Sequence, residues 1–189
     1  NSQIRVTIGG NPNLTPELAT SKTLGLVYSP SWLEGLDVYL DWYDIEIENT
    51  IAAPTAQFLL TDCYVNSTLS SCALITRNPA SGDILDMLAL AANNGTLTPE
   101  GYDVTFDYRF DTSYGKFRVN WASTYISEYI TEIPLGSGPL SVVGNYFQFF
   151  PVWRLKSNID LNWQYGDWGA TFGARYLSAL DESCTSAVL

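Results

Sequence analysis

The chain of 189 residues contains no histidine, one methionine and few basic side chains, with 9 lysines and arginines against 20 aspartates and glutamates. Without histidine, the commonest general base and the commonest metal ligand are both missing. The net charge of −11 disfavours nucleic acid as a partner, because phosphates attract basic surfaces. We find no catalytic constellation among the remaining residues. We therefore predict that the protein is not an enzyme and uses no cofactor.

Long hydrophobic runs are also missing, and none approaches the roughly 18 residues of a membrane helix. This excludes a helical membrane protein but not a membrane β-barrel, whose lipid-facing residues occupy alternate positions. Aromatic residues make up 14% of the chain, with 12 tyrosines and 6 tryptophans. Such a content fits the aromatic girdles at membrane interfaces. A soluble secreted β-sandwich that binds carbohydrate is the alternative.

The clearest pattern lies between Trp153 and Ser178. Over 153–165 every second residue is apolar, with aromatic residues at both ends, and the residues between them are polar or charged. A period of two predicts a strand. Gly166 and Asp167 then form a tight connection to a second alternating strand. Both strands are long for a soluble sheet and suit a tilted transmembrane strand, which needs about 9–11 residues.

Four further segments alternate in the same way, which predicts strands at about 20–28, 36–47, 101–110 and 116–130. In the second of these, the alternation changes phase after Trp42. A β-bulge, or a strand leaving the membrane belt, would explain this change. Six strands cannot close a membrane barrel, since about eight are the minimum. We therefore expect the chain to be part of a larger barrel.

The connections between the predicted strands alternate in length. They are short at 29–35, 111–115 and 166–167, and long at 49–100, at 131–152 and from about 179. Short periplasmic turns and long extracellular loops are typical of a bacterial outer-membrane barrel. We expect the aromatic residues near the short turns to form the periplasmic girdle. They are Tyr28, Trp32, Phe110, Tyr114, Tyr165 and Trp168.

The longest connection, 49–100, far exceeds an ordinary loop, so we expect it to be functional. Within it, Ser81 to Ala92 fits a short helix, and a strand fits nearly as well. Cys63 and Cys72 are close enough in sequence for a local disulfide in an oxidising compartment. Cys184 is then either a free thiol or bonded to a partner beyond the end of the chain.

Two adjacent segments resemble a known protein family. They are the N-terminal motif Asn11-Pro12-Asn13-Leu14-Thr15-Pro16-Glu17 and the strand after it, Ser21-Lys22-Thr23-Leu24-Gly25-Leu26-Val27-Tyr28. Both resemble the barrel of TonB-dependent outer-membrane receptors, which often carry an NPxLKPE-like segment before a strand of the form xxxxGLxY. Thr15 stands where lysine is usual. The loop bearing Cys63 and Cys72 is similar to one in a proteobacterial branch of these receptors. The resemblance covers most of the chain.

The resemblance implies an all-β, antiparallel transmembrane barrel of about 22 strands in the bacterial outer membrane. It implies uptake of an iron chelate, cobalamin or an oligosaccharide with energy from the TonB complex, and it makes a plug domain and outer-membrane lipid further partners. Residues 1–189 are then expected to be one six-strand fragment of the barrel domain, without the plug or the final strands. A passive porin is the alternative membrane protein.

Charged residues on the polar positions of the predicted strands are expected to line the lumen. There they fill space and form ion pairs, or they make a substrate track. They are Asp37, Asp41, Asp103, Asp107, Arg109, Arg118, Arg154, Lys156, Asp160 and Arg175. In the long loop, Asp62, Asp83 and Asp86 match no calcium-loop spacing, so we expect no metal site there.

Overall fold

The computed structural model describes residues 3–132, 138–147 and 150–182. Its elements, in chain order, are β1 (Arg5–Gly9), β2 (Leu18–Tyr28), β3 (Leu36–Glu48), β4 (Ile51–Ala52), α1 (Ala56–Tyr64), α2 (Leu69–Ala73), β5 (Ile75–Arg77), β6 (Ile84–Leu90), β7 (Ala92–Asn93), β8 (Thr96–Thr112), β9 (Gly115–Glu132), β10 (Leu140–Ser141), β11 (Tyr146–Phe147), β12 (Phe150–Pro151), β13 (Leu155–Tyr165) and β14 (Trp168–Leu177). No helix among these residues is long and apolar enough to cross a membrane.

The chain divides into two compact units. Unit 1 comprises residues 1–19, 47–96 and 132–138, and unit 2 comprises 20–46, 97–131 and 139–189. Unit 2 contains the long strands, which form one sheet in the order β14-β13-β9-β8-β3-β2, with the short β10 added to β9. The six predicted strands are therefore confirmed. The structure extends two of them, since β8 begins at Thr96 and β9 continues to Glu132.

Register in the sheet follows the period of two. Antiparallel pairing places Asp160 of β13 opposite Asn120 of β9 and Gly173 of β14, so these positions share one face. Trp163 lies opposite Phe117 and Ala170 on the other face. Because a slip of one residue would exchange the faces, this register is what keeps the polar and apolar side chains apart.

The phase change in β3 does not come from a bulge near Trp42. The backbone of Arg109 donates to Gly35, and the Tyr43 hydroxyl lies over Gly101, so both strands advance by the same number of residues between these points. The apolar positions after Trp42 therefore belong to the face that carries Asp41. This observation favours the second explanation, a strand whose surroundings change along its length.

Unit 1 holds a three-stranded sheet in the order β1-β6-β5 and the two short helices. The helix expected as one alternative at 81–92 is wrong, because Ile84–Leu90 forms the central strand β6. Met87 and Ala89 alternate with more exposed neighbours along this strand and are almost fully buried. Strand β6 pairs on both sides, in parallel with β1 and antiparallel with β5. These long-range partners decide between two local conformations that the sequence allows about equally.

Helices α1 and α2 were not predicted. At the start of α1, the Thr55 side chain accepts a hydrogen bond from Phe58 N at 3.1 Å, which is a standard N-cap. That threonine was the available signal, but the short segment after it carries no clear apolar stripe. The loop predicted at 131–152 contains the short strands β10, β11 and β12. Cys184 lies outside the described residues, so its alternatives stay predictions.

Candidate functional site

The polar face of the unit 2 sheet carries almost all of the charged residues predicted to line a lumen. Side-chain contacts connect this face across neighbouring strands. Thr124 donates to Asp103 at 2.6 Å, and Arg175 donates to Asn158 at 2.9 Å. The register places Lys156 opposite Thr124. The predicted lumen residues on β3, β8, β9, β13 and β14 therefore share one face, while Arg154 lies just before β13.

Asp107 is the centre of this face, because it is the carboxylate that the strands bury most completely. It is 5% exposed, whereas Arg109 and Arg118 are half-exposed or more. Arg118 approaches Asp107 Oδ2 at 2.7 Å through Nη2 and at 2.8 Å through Nε, and Arg109 Nη2 approaches Oδ1 at 2.9 Å. Asn120 donates to Oδ2 at 3.3 Å. One buried carboxylate thus holds two cations in place on β8 and β9.

The other predicted residues on this face have simpler surroundings. Asp37 accepts from the Ser29 hydroxyl at 2.5 Å. Asp41 and Asp160 lie over glycines of the neighbouring strand, where a Cβ added to Gly25 or Gly173 would meet their carboxylates at 2.5 and 2.8 Å. These two glycines leave room for acidic side chains to lie flat on the sheet.

An open cleft of about 830 Å³ lies at the end of this sheet where the short turns are. The cations Arg109, Lys116 and Arg118 line it together with the acids Asp111 and Asp167. Backbone and side chains of the β13–β14 turn close one side. The lining of the cleft thus carries charges of both signs.

The opposite face is apolar and aromatic towards the short turns, whereas farther along the strands Lys22 and Asp44 form an ion pair on it at 3.0 Å. Phe106 packs against Trp121 with ring centroids 5.2 Å apart, and Phe110 stacks on Phe117 at 5.3 Å. On this face, the indole N–H of Trp121 donates a hydrogen bond to Ser157 Oγ at 2.6 Å. At the edge of the sheet, Phe172 is nevertheless 67% exposed. The predicted girdle residues lie at the strand ends and turns, and all except Phe110 are exposed: Tyr28, Trp32, Tyr114, Tyr165 and Trp168.

A second candidate surface is the disulfide-closed hairpin of unit 1. The predicted disulfide between Cys63 and Cys72 is confirmed and joins α1 to α2. Just before it, Asp62 accepts from Ser71 Oγ at 2.6 Å, from Asn66 Nδ2 at 3.0 Å and from Thr68 Oγ1 at 3.0 Å. These donors, Ser71 above all, hold the pKa of Asp62 below its ordinary value of 3.8. Sequence reasoning missed this cluster, because its residues follow no helical or strand period.

The exposed side of the hairpin presents Tyr64, which is 56% exposed, with the Arg77 guanidinium 5.2 Å from the centre of its ring. Arg77 also donates to the Gly82 carbonyl at 2.6 Å, which fixes the cation over the ring. Asp86 is separately engaged by Arg5 and Thr7, and Asp83 by Ser81. Within the described part of the chain, no three acidic or cysteine side chains gather as metal ligands.

Comparison with known proteins is consistent with this architecture. A family model described as "TonB dependent receptor-like, beta-barrel" matches residues 1–185. No curated protein matches the chain. Among solved structures, the siderophore receptor PirA from Acinetobacter baumannii is similar, with a TM-score of 0.54 and 16% sequence identity. The match covers 92% of this chain and 22% of that chain. This chain therefore spans under a quarter of that receptor's length.

Proposed function

Because this chain belongs to the TonB-dependent receptor family through its β-barrel region, we propose that its six long strands are neighbours in an outer-membrane barrel that imports a scarce nutrient. TonB supplies the energy for import in this proposal. The observation that supports this proposal most directly is that the sheet of unit 2 has two different faces. An exposed aromatic face suits lipid, while a face of paired charges suits a polar interior. The soluble β-sandwich is excluded by the family assignment.

In this barrel, the polar face lines the lumen. The nine predicted residues on its strands, from Asp37 to Arg175, then face either water or a plug domain. The ion pairs around Asp107 fill the interior and leave the guanidinium groups of Arg109 and Arg118 partly accessible. The girdle aromatics at the short turns lie at the periplasmic interface, and the long connections lie on the extracellular side. We assign no chemical reaction to the chain.

The substrate class is the most specific statement in the proposal. A structurally similar protein is described as a siderophore receptor, which makes iron chelates the first class to test. Cobalamin and oligosaccharides remain the other candidates. The exposed Tyr64 ring and its neighbour Arg77 offer an aromatic surface and a cation to a substrate arriving from outside.

Uptake measured in intact cells tests this function. Cells that carry the complete gene are given labelled iron chelates, cobalamin and oligosaccharides, with and without a working TonB complex. We expect one class to accumulate, and its accumulation to stop when TonB or the gene is removed. Uptake that continues without TonB would support the passive porin instead.

A further inference from the structure

A continuous series of contacts connects the disulfide to the central strand of unit 1. Cys72 lies in α2, which ends at Ala73, and β5 begins at Ile75, so only Leu74 separates the two elements. Ile75 pairs with Met87 of β6, and Leu88 N donates to Leu74 O at 2.9 Å. The covalent bond therefore restrains the beginning of β5, and β5 restrains β6.

The other edge of β6 holds strand β1, which comes from a distant part of the sequence. The two strands are parallel, with Val6 opposite Met87. Asp86 strengthens this pairing by accepting from Arg5 Nε at 3.1 Å and Thr7 Oγ1 at 3.0 Å. These contacts join the segment before β2 to the loop between β3 and β8.

A second group of contacts holds the residues that follow β1. Asn93 accepts from Thr15 N at 2.8 Å and donates to Thr15 O at 2.7 Å. Glu17 Oε1 accepts from Ile51 N at 2.7 Å. The segment from β1 to Glu17 is thus attached along its length to the same loop, rather than at a single point.

The apolar core that supports these contacts is small. Its buried members in unit 1 are Leu59 of α1, Ile75 of β5, and Met87 and Ala89 of β6. A core of this size gives little stability by itself, and small units of this kind commonly depend on disulfides. Helix α1 and strands β5 and β6 therefore all contribute to the few buried apolar residues of this unit.

We propose that the Cys63–Cys72 disulfide is a redox-sensitive latch that holds β1 on β6. When a dithiol reduces it, two electrons and two protons pass to the Cys63 and Cys72 sulfurs. The S–S bond breaks, two thiols form, and the dithiol becomes a disulfide. Strands β5 and β6 loosen, and β1 is released together with the segment leading to β2. The latch goes beyond the proposed uptake and does not depend on it.

Hydrogen exchange on the whole protein in detergent, before and after reduction with dithiothreitol, tests the latch. We expect amides of β1, β5 and β6 to exchange faster together after reduction, by about 5-fold or more. The amides of β13 in unit 2 should not change. Faster exchange confined to residues 63–72 would overturn the proposal, as would an equal rise in β13. Because the wild-type chain is used, no variant has to fold.

Reciprocity gives a second test. If reduction weakens the attachment of β1, then complete release of β1 must favour reduction by the same factor, and a partial weakening must favour it by up to that factor. In Asp86→Asn, which removes the charge that Arg5 meets, the equilibrium constant for reduction by dithiothreitol should therefore rise, by up to about 5-fold. Asp83→Asn is the matched control, because the Asp83 carboxylate accepts from Ser81 within its own turn. Equal constants in Asp86→Asn and the wild type would overturn the latch.

Discussion

Asp107 shows how a single residue organises the polar face. Its carboxylate is buried between strands and meets two guanidinium groups, so removing it leaves both cations without their partner. Both arginines are half-exposed or more, and water recovers part of that loss. We expect Asp107→Ala to lower the free energy of unfolding by about 1–3 kcal/mol. Urea unfolding in lipid vesicles, followed by tryptophan fluorescence, measures this change.

Asp160→Ala is the control for that prediction. Asp160 lies on the same face but is exposed, over Gly173. The same truncation there should change the free energy of unfolding by no more than about 0.5 kcal/mol. Equal losses in the two variants would contradict the central role given to Asp107.

Asp62 gives the α1–α2 hairpin a defined pH dependence. Its pKa is lowered in the folded protein, chiefly by the Ser71 hydroxyl and then by Asn66. A lowered pKa contributes stability that is fully present above the ordinary value of 3.8 and is lost as the pH falls through the lowered value. A carboxyl-carbon NMR titration should therefore give Asp62 a midpoint below 3.8. A midpoint at or above the ordinary value would show that the hydrogen bonds do not form.

Which residues share a face could be predicted at this scale, because β-strands alternate without exception between bulges. Which carboxylate is buried could not. Asp103 and Asp107 look alike in the sequence, and only the register of β8 against β9 brings Arg118 and Asn120 to the second of them. Register depends on pairing across strands, which a single strand's pattern does not contain.

At the scale of elements, the turn between β8 and β9 depends on Gly115. Its φ of +118° is rarely open to other residues, and a Cβ there would collide with the Gln164 carbonyl of β13. We expect Gly115→Ala to cost about 1–3 kcal/mol of unfolding free energy. It should also slow formation of the β8–β9–β13 sheet, as measured by refolding into lipid vesicles.

Gly169→Ala separates this steric effect from a general glycine effect. Gly169 lies in β14 of the same sheet, and a Cβ there would meet only ordinary contact, 3.5 Å from the Trp163 carbonyl. This variant should be as stable as the wild type or slightly more so. A loss as large as that of Gly115→Ala would contradict the collision as the cause.

The elements of unit 2 could be predicted and those of unit 1 only in part. Strands β13 and β14 each carry a long alternating pattern and pair locally through a tight turn, so local sequence determines them. Strand β6 is short, and its partner β1 lies far away in the sequence. The choice between helix and strand at Ile84–Leu90 is made by that distant partner, which a local pattern does not identify.

For the whole molecule, two independent kinds of sequence information led to one architecture. Alternating strands with alternating connection lengths predicted an outer-membrane barrel, and the N-terminal motif around Asn11 and Pro12 resembled one receptor family. The match over residues 1–185 confirms that family. The substrate could not be predicted in the same way, because the proposed function assigns its binding to loop residues such as Tyr64 and Arg77, whose positions result from tertiary packing.

The central claim, that the sheet has one face in lipid and one in water, is tested most directly by spin labels along β14. In a Cys184→Ser background that keeps the native disulfide, single cysteines replace residues 170 to 175 in turn. The labelled protein is then reconstituted in lipid bilayers. Labels at Ala170, Phe172 and Ala174 should collide mainly with dissolved oxygen, which concentrates in lipid. Labels at Thr171, Gly173 and Arg175 should collide mainly with a water-soluble nickel complex. Collision rates without this period of two, or with the two sets exchanged, would contradict the account.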